Sequence, residues 1–257
     1  MVDLAPHLRI IDLTHDVPPF DVRAGALALV RSVQYLPPGI VLAVVDPGVG
    51  TERRIVAVEV DQGVLIGPDN GLLAPAVAML GGARRVISIT NDAYRIAGPG
   101  RTFAGRDIMA PAVGHIAAGV PLDDLGESVD PAGLVPGLIP LARSDGGSVV
   151  TEVLWVDRFG NCQLNVGAED LGALGVGQGD GVEIHFGDAA RRARWVGAYA
   201  DAKPSEIVLV VDSYGLVSIA MDRRSAAHEC GLGVGETVEI IPPNSSGGSP
   251  HGTLGRG

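Results

Sequence analysis

The residues best suited to chemistry lie in four short polar turns, each set beside an apolar run. In the first, Asp46-Pro47-Gly48-Val49-Gly50-Thr51-Glu52-Arg53, a carboxylate ends the run Ile40 to Val45 and an arginine follows a Pro-Gly turn. Such a turn returns the chain so that the guanidinium can face the carboxylate, either as a pair that orients a polar reactant or as an ordinary ion pair. Ligands of open α/β sheets sit beyond the carboxyl ends of strands, which is where Asp46 falls. In the second, Gly67-Pro68-Asp69-Asn70-Gly71, Asp69 or Asn70 would cap the helix that follows. The third, Thr102-Phe103-Ala104-Gly105-Arg106-Asp107, precedes a helix whose free amides could meet a polar ligand, while Arg106 and Asp107 could equally be a structural pair. The fourth, Asp157-Arg158-Phe159-Gly160-Asn161, offers an acceptor, an aromatic face and an amide. That set suits an adenosine, with the carboxylate to ribose hydroxyls, ring against ring and amide to an amino acid. A plain hairpin turn at Gly160-Asn161 is the alternative.

Other chemistries find less support. The histidines His7, His15, His115, His185, His228 and His251 are scattered without metal-ligand spacing, and no phosphate loop, dinucleotide glycine motif or nucleophile elbow is present. Cys162 and Cys230 alone can build neither a disulfide framework nor a four-cysteine zinc site. A net charge of -11 argues against nucleic acid and against an anionic membrane surface as partner. The longest apolar run stops at Asp46, far short of the ~20 residues of a membrane span, and the opening residues lack the pattern of a signal peptide. A cytoplasmic protein is the expectation.

The elements that must position these turns can be read from the spacing of apolar residues. Arg9 to Leu13 reads as a short strand, and Asp21 as the N-cap of a helix through Leu36, stopped by Pro37-Pro38-Gly39. Ile40 to Val45 is a continuous apolar strand of the kind found in a sheet covered on both faces. Strands at Arg54–Val60, Val64–Ile66 and Val86–Ile89 and helices at Leu72–Leu80 and Ile108–Ala118 complete an open α/β sheet. Beyond Pro140 the character changes. Val149–Val156, Gly181–Phe186, Ile207–Val211, Leu216–Ala220 and Thr237–Ile241 are short strands split by glycine-rich turns, as in a small all-β barrel or sandwich. The expected organisation is therefore an N-terminal α/β domain at 1–143, a smaller barrel-like β domain at 148–242, and a disordered Gly/Ser/Pro-rich tail at 243–257.

In this order the turns resemble those of the S-adenosylmethionine hydroxide adenosyltransferases, the adenosine-forming hydrolase relatives of the bacterial fluorinase and chlorinase. The likeness is carried by Ile10-Ile11-Asp12-Leu13-Thr14-His15, Asp46 to Arg53, Pro68 to Gly71, Gly105-Arg106-Asp107, Phe159-Gly160-Asn161 and Ser213-Tyr214-Gly215. It implies a homotrimer, with S-adenosylmethionine between one protomer's N-terminal domain and its neighbour's C-terminal domain. It further implies that Asp46 and Arg53 belong to an Asp-Arg-His set that activates water. Asp157, Phe159 and Asn161, with Ser213, Tyr214, Phe103 and Asn70, would hold substrate, Ser213 at the methionine end. The halogenases are expected to carry a tyrosine where Asp46 stands, and a carboxylate there would repel a halide and accept a hydrogen bond from water. No metal or cofactor is called for, since a sulfonium is already a good leaving group.

Two departures qualify the likeness. The family's histidine is expected between Phe103 and Gly105, where this chain has Ala104, with His15 and His115 the candidates to replace it in space. The likeness also places Met1 within the first helix, after an expected first strand and a Thr-Asp-Phe-Gly-like turn whose aspartate holds the ribose. Hydrolysis of S-adenosylmethionine to adenosine and methionine is the expected activity. A catalytically impaired protein that binds adenosine or S-adenosylmethionine and a 5′-halogenase are the alternatives.

Overall fold

The side chain of Asp21 starts the first helix: its Oδ1 accepts from the Ala24 amide at 2.8 Å, satisfying one of the amides that a helix leaves unpaired at its start. The helix, α1, runs over Val22–Val33 and buries Ala26, Leu29 and Val33 at helical spacing. The computed structural model describes residues 1–98, 100–137 and 139–243, in two compact units, Met1–Leu138 and Ile139–Gly257. All but the first residue of the expected disordered tail lies outside the described residues.

The first unit is built on five strands, β1 (Gly39–Leu42), β2 (Ile55–Val60), β3 (Gly63–Pro68), β4 (Arg85–Ile89) and β5 (Gly126–Val129), in the order β1-β3-β2-β4-β5. Only β1 and β3 run parallel; the other neighbours are antiparallel. Successive side chains of a strand point to opposite faces, and β2 feeds two cores in this way. Val56, Val58 and Val60 pack with α1 and with α2 (Ala74–Met79), whereas Ile55 and Ala57 pack with α3 (Ala110–Ala117). A single π-helical turn, Gly105–Met109, leads into α3.

One expectation fails here. Arg9 to Leu13 is irregular, pairs with no strand of either sheet, and leaves Ile10, Ile11 and Leu13 roughly half exposed. β1 is covered on both faces as expected, Val41 packing against the core with α1 and α2 and Ile40 and Leu42 against the core with α3. It stands at the sheet edge with β3 as its one neighbour, and most of it is only partly buried. Its apolar run reports the surface it buries on the two faces, not which strands flank it.

The second unit holds β6 (Arg143–Asp145), β7 (Ser148–Val156), β8 (Cys162–Gly167), β9 (Gly181–Phe186), β10 (Ala189–Val196), β11 (Ile207–Val211), β12 (Leu216–Met221) and β13 (Thr237–Ile241), with the short helices α4 (Ala168–Ala173) and α5 (Ala226–Cys230). The order β13-β9-β10-β11-β12-β8-β7, closed by β13 pairing with β7, makes a seven-stranded barrel, and β6 hangs on β7. Val153, Leu164, Ile184, Leu209, Ile219 and Ile240 fill its interior. The segment Ser144 to Gly147, read from composition as a domain boundary, is the β6–β7 hairpin, with positive φ at Gly146 and Gly147; the units part at Leu138/Ile139.

One glycine links the core to the strand tip. A Cβ on Gly25 of α1 would stand 2.8 Å from Val45 Cγ2 and 2.9 Å from Leu72 Cδ1, so the helix lies directly on the end of β1's run. Gly25→Val should therefore lower stability by about 1–3 kcal/mol, the usual cost of overpacking, read as a lower urea midpoint at unchanged slope. An unchanged midpoint would mean that α1 is not seated on Val45.

Candidate active site

Past Ala43, whose amide still bonds the Ile66 carbonyl at 2.9 Å, the edge strand leaves the ladder and Asp46 follows at its tip. The turn back is held by Val49 N donating to Asp46 O (3.2 Å) and by Thr51 Oγ1 donating to Gly48 O (2.7 Å). Arg53 thereby meets Asp46 in a two-pronged pair: Nε donates to Oδ1 at 2.6 Å and Nη2 to Oδ2. The two side chains are only 12% and 6% exposed, Arg53 first, so the pair is largely out of water. Charge-assisted forked bonds are strong and directional. Removing one partner of a buried pair typically costs about 3–5 kcal/mol, because the other charge is left uncompensated. A carboxylate has about four lone-pair sites, so after two bonds to arginine Asp46 can still accept from a water.

The pair forms part of the walls of two cavities. Asp46 lines a cleft of about 400 Å³ together with Thr14, His15, Phe20 and Val45. Arg53 lines another of about 390 Å³ with Arg54, Ala104 and Asp107. Ala104 is buried among Ile55, Ile87, Ile89 and Met109, so the position expected to hold a histidine is an apolar one on the arginine side. Of the two candidate replacements, His15 is on the Asp46 side, in the same cleft and 3.3 Å from Asp12. His115 packs edge-on against Tyr94, ring centres 4.9 Å apart. Phe20, which sequence reasoning passed over, is 78% exposed on that cleft with φ +69, a conformation a bulky residue adopts only when its surroundings impose it.

Arg106 and Asp107 form the structural pair foreseen as one alternative, with Nε to Oδ1 at 2.6 Å and Nη2 to Oδ2 at 2.9 Å; the bond from Arg106 holds the Asp107 carboxyl below its ordinary range. The Arg106 guanidinium also covers the Phe103 ring at 4.7 Å. Neither Asp69 nor Asn70 caps a helix, because α2 begins only at Ala74, after Leu73. Asp69 instead pairs with Arg54 and accepts from the Val135 amide (2.9 Å), while Asn70 donates to the Val45 carbonyl (2.9 Å).

In the second unit the polar turn after β7 is built by Asp157. Its Oδ1 accepts from the amides of Phe159 (2.8 Å) and Asn161 (2.9 Å), and its Oδ2 from Asn161 Nδ2 (2.8 Å). The carboxylate expected to meet ribose is thus engaged by its own turn, and what the turn presents outward is the Phe159 ring, 72% exposed. Gly160 has φ +83, and a Cβ there would lie 2.0 Å from Ser225 Oγ, so only glycine fits. Asp212 repeats the device after β11: Oδ1 accepts from Tyr214 N (2.8 Å) and Leu216 N (3.2 Å), and Oδ2 from Gln163 Nε2, leaving Ser213 and Tyr214 exposed. Tyr199 is a third aromatic at these turns that the sequence did not flag. Burial pushes its phenol up, and the carboxylates of Asp157 and Asp212 push it further. Burial likewise raises the Cys162 thiol to about 12, so it is protonated at neutral pH.

The chain is similar to known proteins over most of its length. The SAM hydroxide adenosyltransferase N-terminal domain matches residues 1–126 and the corresponding C-terminal domain residues 151–239. A Salinispora tropica protein named (R)-S-adenosyl-L-methionine hydrolase is 43% identical, over 92% of this chain and 88% of its own. One of the same name from Thermus thermophilus is 36% identical over 94% and 91%, and an Actinoplanes fluorinase 26% identical over 93% and 90%. A crystal structure of an uncharacterized conserved protein from Thermotoga maritima superposes with a TM-score of 0.82 at 30% identity, covering 93% of this chain and 91% of that one.

The surroundings of Tyr199 can be read directly. An ultraviolet pH titration of the four tyrosines should show one phenol ionising above the ordinary value of about 10. Asp212→Asn removes a negative charge that disfavours the phenolate, so that phenol should move down, though not the whole way, since burial is the larger cause. A titration unchanged by the substitution would separate Tyr199 from the turn.

Proposed function

The chain belongs to the SAM hydroxide adenosyltransferase family, and we propose that it hydrolyses S-adenosylmethionine to adenosine and methionine, with Asp46 and Arg53 setting the attacking water. The observation that carries this reading is the largely buried Asp46–Arg53 pair at the strand tip. A water bonded to the remaining lone pairs of Asp46 attacks the ribose C5′. The C5′–O bond forms as the C5′–S bond breaks, the electron pair goes to sulfur, and methionine leaves as a neutral thioether. The proton lost by water passes through Asp46 to solvent. Holding the reactants in line is worth up to about 7–11 kcal/mol, and proton acceptance adds about 10²–10⁴-fold. The sulfonium supplies the leaving group, so the proposed reaction uses no metal or cofactor.

Phe159, Tyr214 and Tyr199 provide exposed ring surface for the adenine, and Ser213 a hydroxyl for the methionine end. By the family likeness we assign these groups and the Asp46 cleft to different subunits of a homotrimer, with substrate held between them. A halide would meet the Asp46 carboxylate and be repelled, which weighs against a halogenase, and the curated fluorinases are the more distant relatives. Ala104, seated among apolar side chains where a proton carrier is expected, favours a second reading in which the protein binds the nucleoside without turnover.

One experiment separates the two. Purified protein incubated with S-adenosylmethionine should release adenosine in step with methionine, followed by chromatography. Asp46→Asn, which keeps the shape and removes the charge, should lower kcat by about 10²–10⁴-fold with affinity by calorimetry within a few-fold. Tight binding without adenosine from the unaltered protein would establish the binder. Equal losses of rate and affinity in Asp46→Asn would make Asp46 a binding group.

A further inference from the structure

The turn Pro68-Asp69-Asn70-Gly71 touches both catalytic residues' neighbours at once. Asn70 Nδ2 donates to the carbonyl of Val45, the residue before Asp46, at 2.9 Å, and Asn70 Oδ1 accepts from Leu72 N at 3.2 Å. Asp69, only 3% exposed at its side chain, takes Nε of Arg54, the residue after Arg53, at 2.8 Å and Nη2 at 2.5 Å. The Asp69 amide also donates to the Arg54 carbonyl at 3.0 Å. Asp69 is fixed in turn by the Val135 amide at 2.9 Å. Regular β1–β3 pairing ends at the Ala43–Ile66 bond, so the tip bearing Asp46 lies beyond the ladder. We infer that Asn70 is a positioning residue: with Asp69 it forms a clamp that fixes the backbone on either side of the Asp46–Arg53 pair, and its amide does for Val45 what the ladder no longer does.

This inference rests on the hydrolase reading for its kinetic consequence but not for its structural one. It assigns Asn70 no contact with substrate, in place of the substrate-binding role the family likeness implied. The mechanism needs the carboxylate held to a fraction of an ångström, and misplacement by about 1 Å can cost on the order of 10²-fold.

The test uses Asn70→Asp, which keeps the shape but turns an acceptor toward the Val45 carbonyl, and Asn70→Ala, which removes both bonds. Each should lose about 10- to 100-fold in kcat, with KM within about twofold and little change in Tm. Crystal structures of both variants should show the Val45 carbonyl displaced and the forked Asp46–Arg53 bond opened or shifted. That structural readout stands even if the unaltered protein releases no adenosine, an outcome that would defeat the hydrolase reading and leave the clamp to be judged by geometry. A raised KM at unchanged kcat would make Asn70 a substrate contact and overturn the inference. So would variant structures in which the pair has not moved.

Discussion

A carboxylate and a guanidinium held against each other with little access to water, at the end of an edge strand, are the constraint on which the site depends. Left alone, either charge would be costly to bury, so the Asp46–Arg53 turn and the pair require each other. The turn brings Arg53 round, and the pair keeps the turn closed. The rest of the N-terminal unit supports that point: α1 rests on Val45 through Gly25, β3 supplies the last ladder bond, and the Asp69-Asn70 turn holds the residues on either side.

Asp46, Asp157 and Asp212 follow β1, β7 and β11, and the partners of each decide what it can do. Asp157 and Asp212 each accept three hydrogen bonds, two of them from backbone amides of their own turns, and so hold turns that leave Phe159, Ser213 and Tyr214 exposed. Asp46 is held by a guanidinium rather than by backbone amides, and it lines a cleft. The same residue type thus closes presenting turns in the barrel and forms a largely buried charge pair beside a cleft in the sheet unit. The residue number alone would not have separated the two roles.

Much of this was legible from sequence where the signal is local. The Asp21 cap, the Pro-Gly return to Arg53, the Arg106–Asp107 pair and the barrel strands rich in valine and isoleucine are set by residues close together in the chain. What escaped depends on partners distant in sequence. The segment Arg9 to Leu13 has strand composition but pairs with no strand among the described residues, and the edge position of β1 is set by neighbours that its own apolar run does not report. β10 was invisible because Arg191 and Arg192 face solvent and only Ala193 and Val196 turn fully inward. Asn70 looked like a helix cap because a helix follows, and its bond to Val45, 25 residues away, leaves no local trace. Tyr199 and Phe20 carry no motif; their signals are exposure beside polar turns and, for Phe20, a strained backbone.

In the proposed hydrolysis a solvent molecule, placed by Asp46, becomes the 5′-hydroxyl of the product. Turnover in water enriched in heavy oxygen, with adenosine analysed by mass spectrometry, asks this directly. One heavy oxygen per adenosine, located on the 5′ carbon, is the predicted result. Adenosine without the label, or a 5′-halogenated nucleoside appearing when halide is supplied, would contradict it.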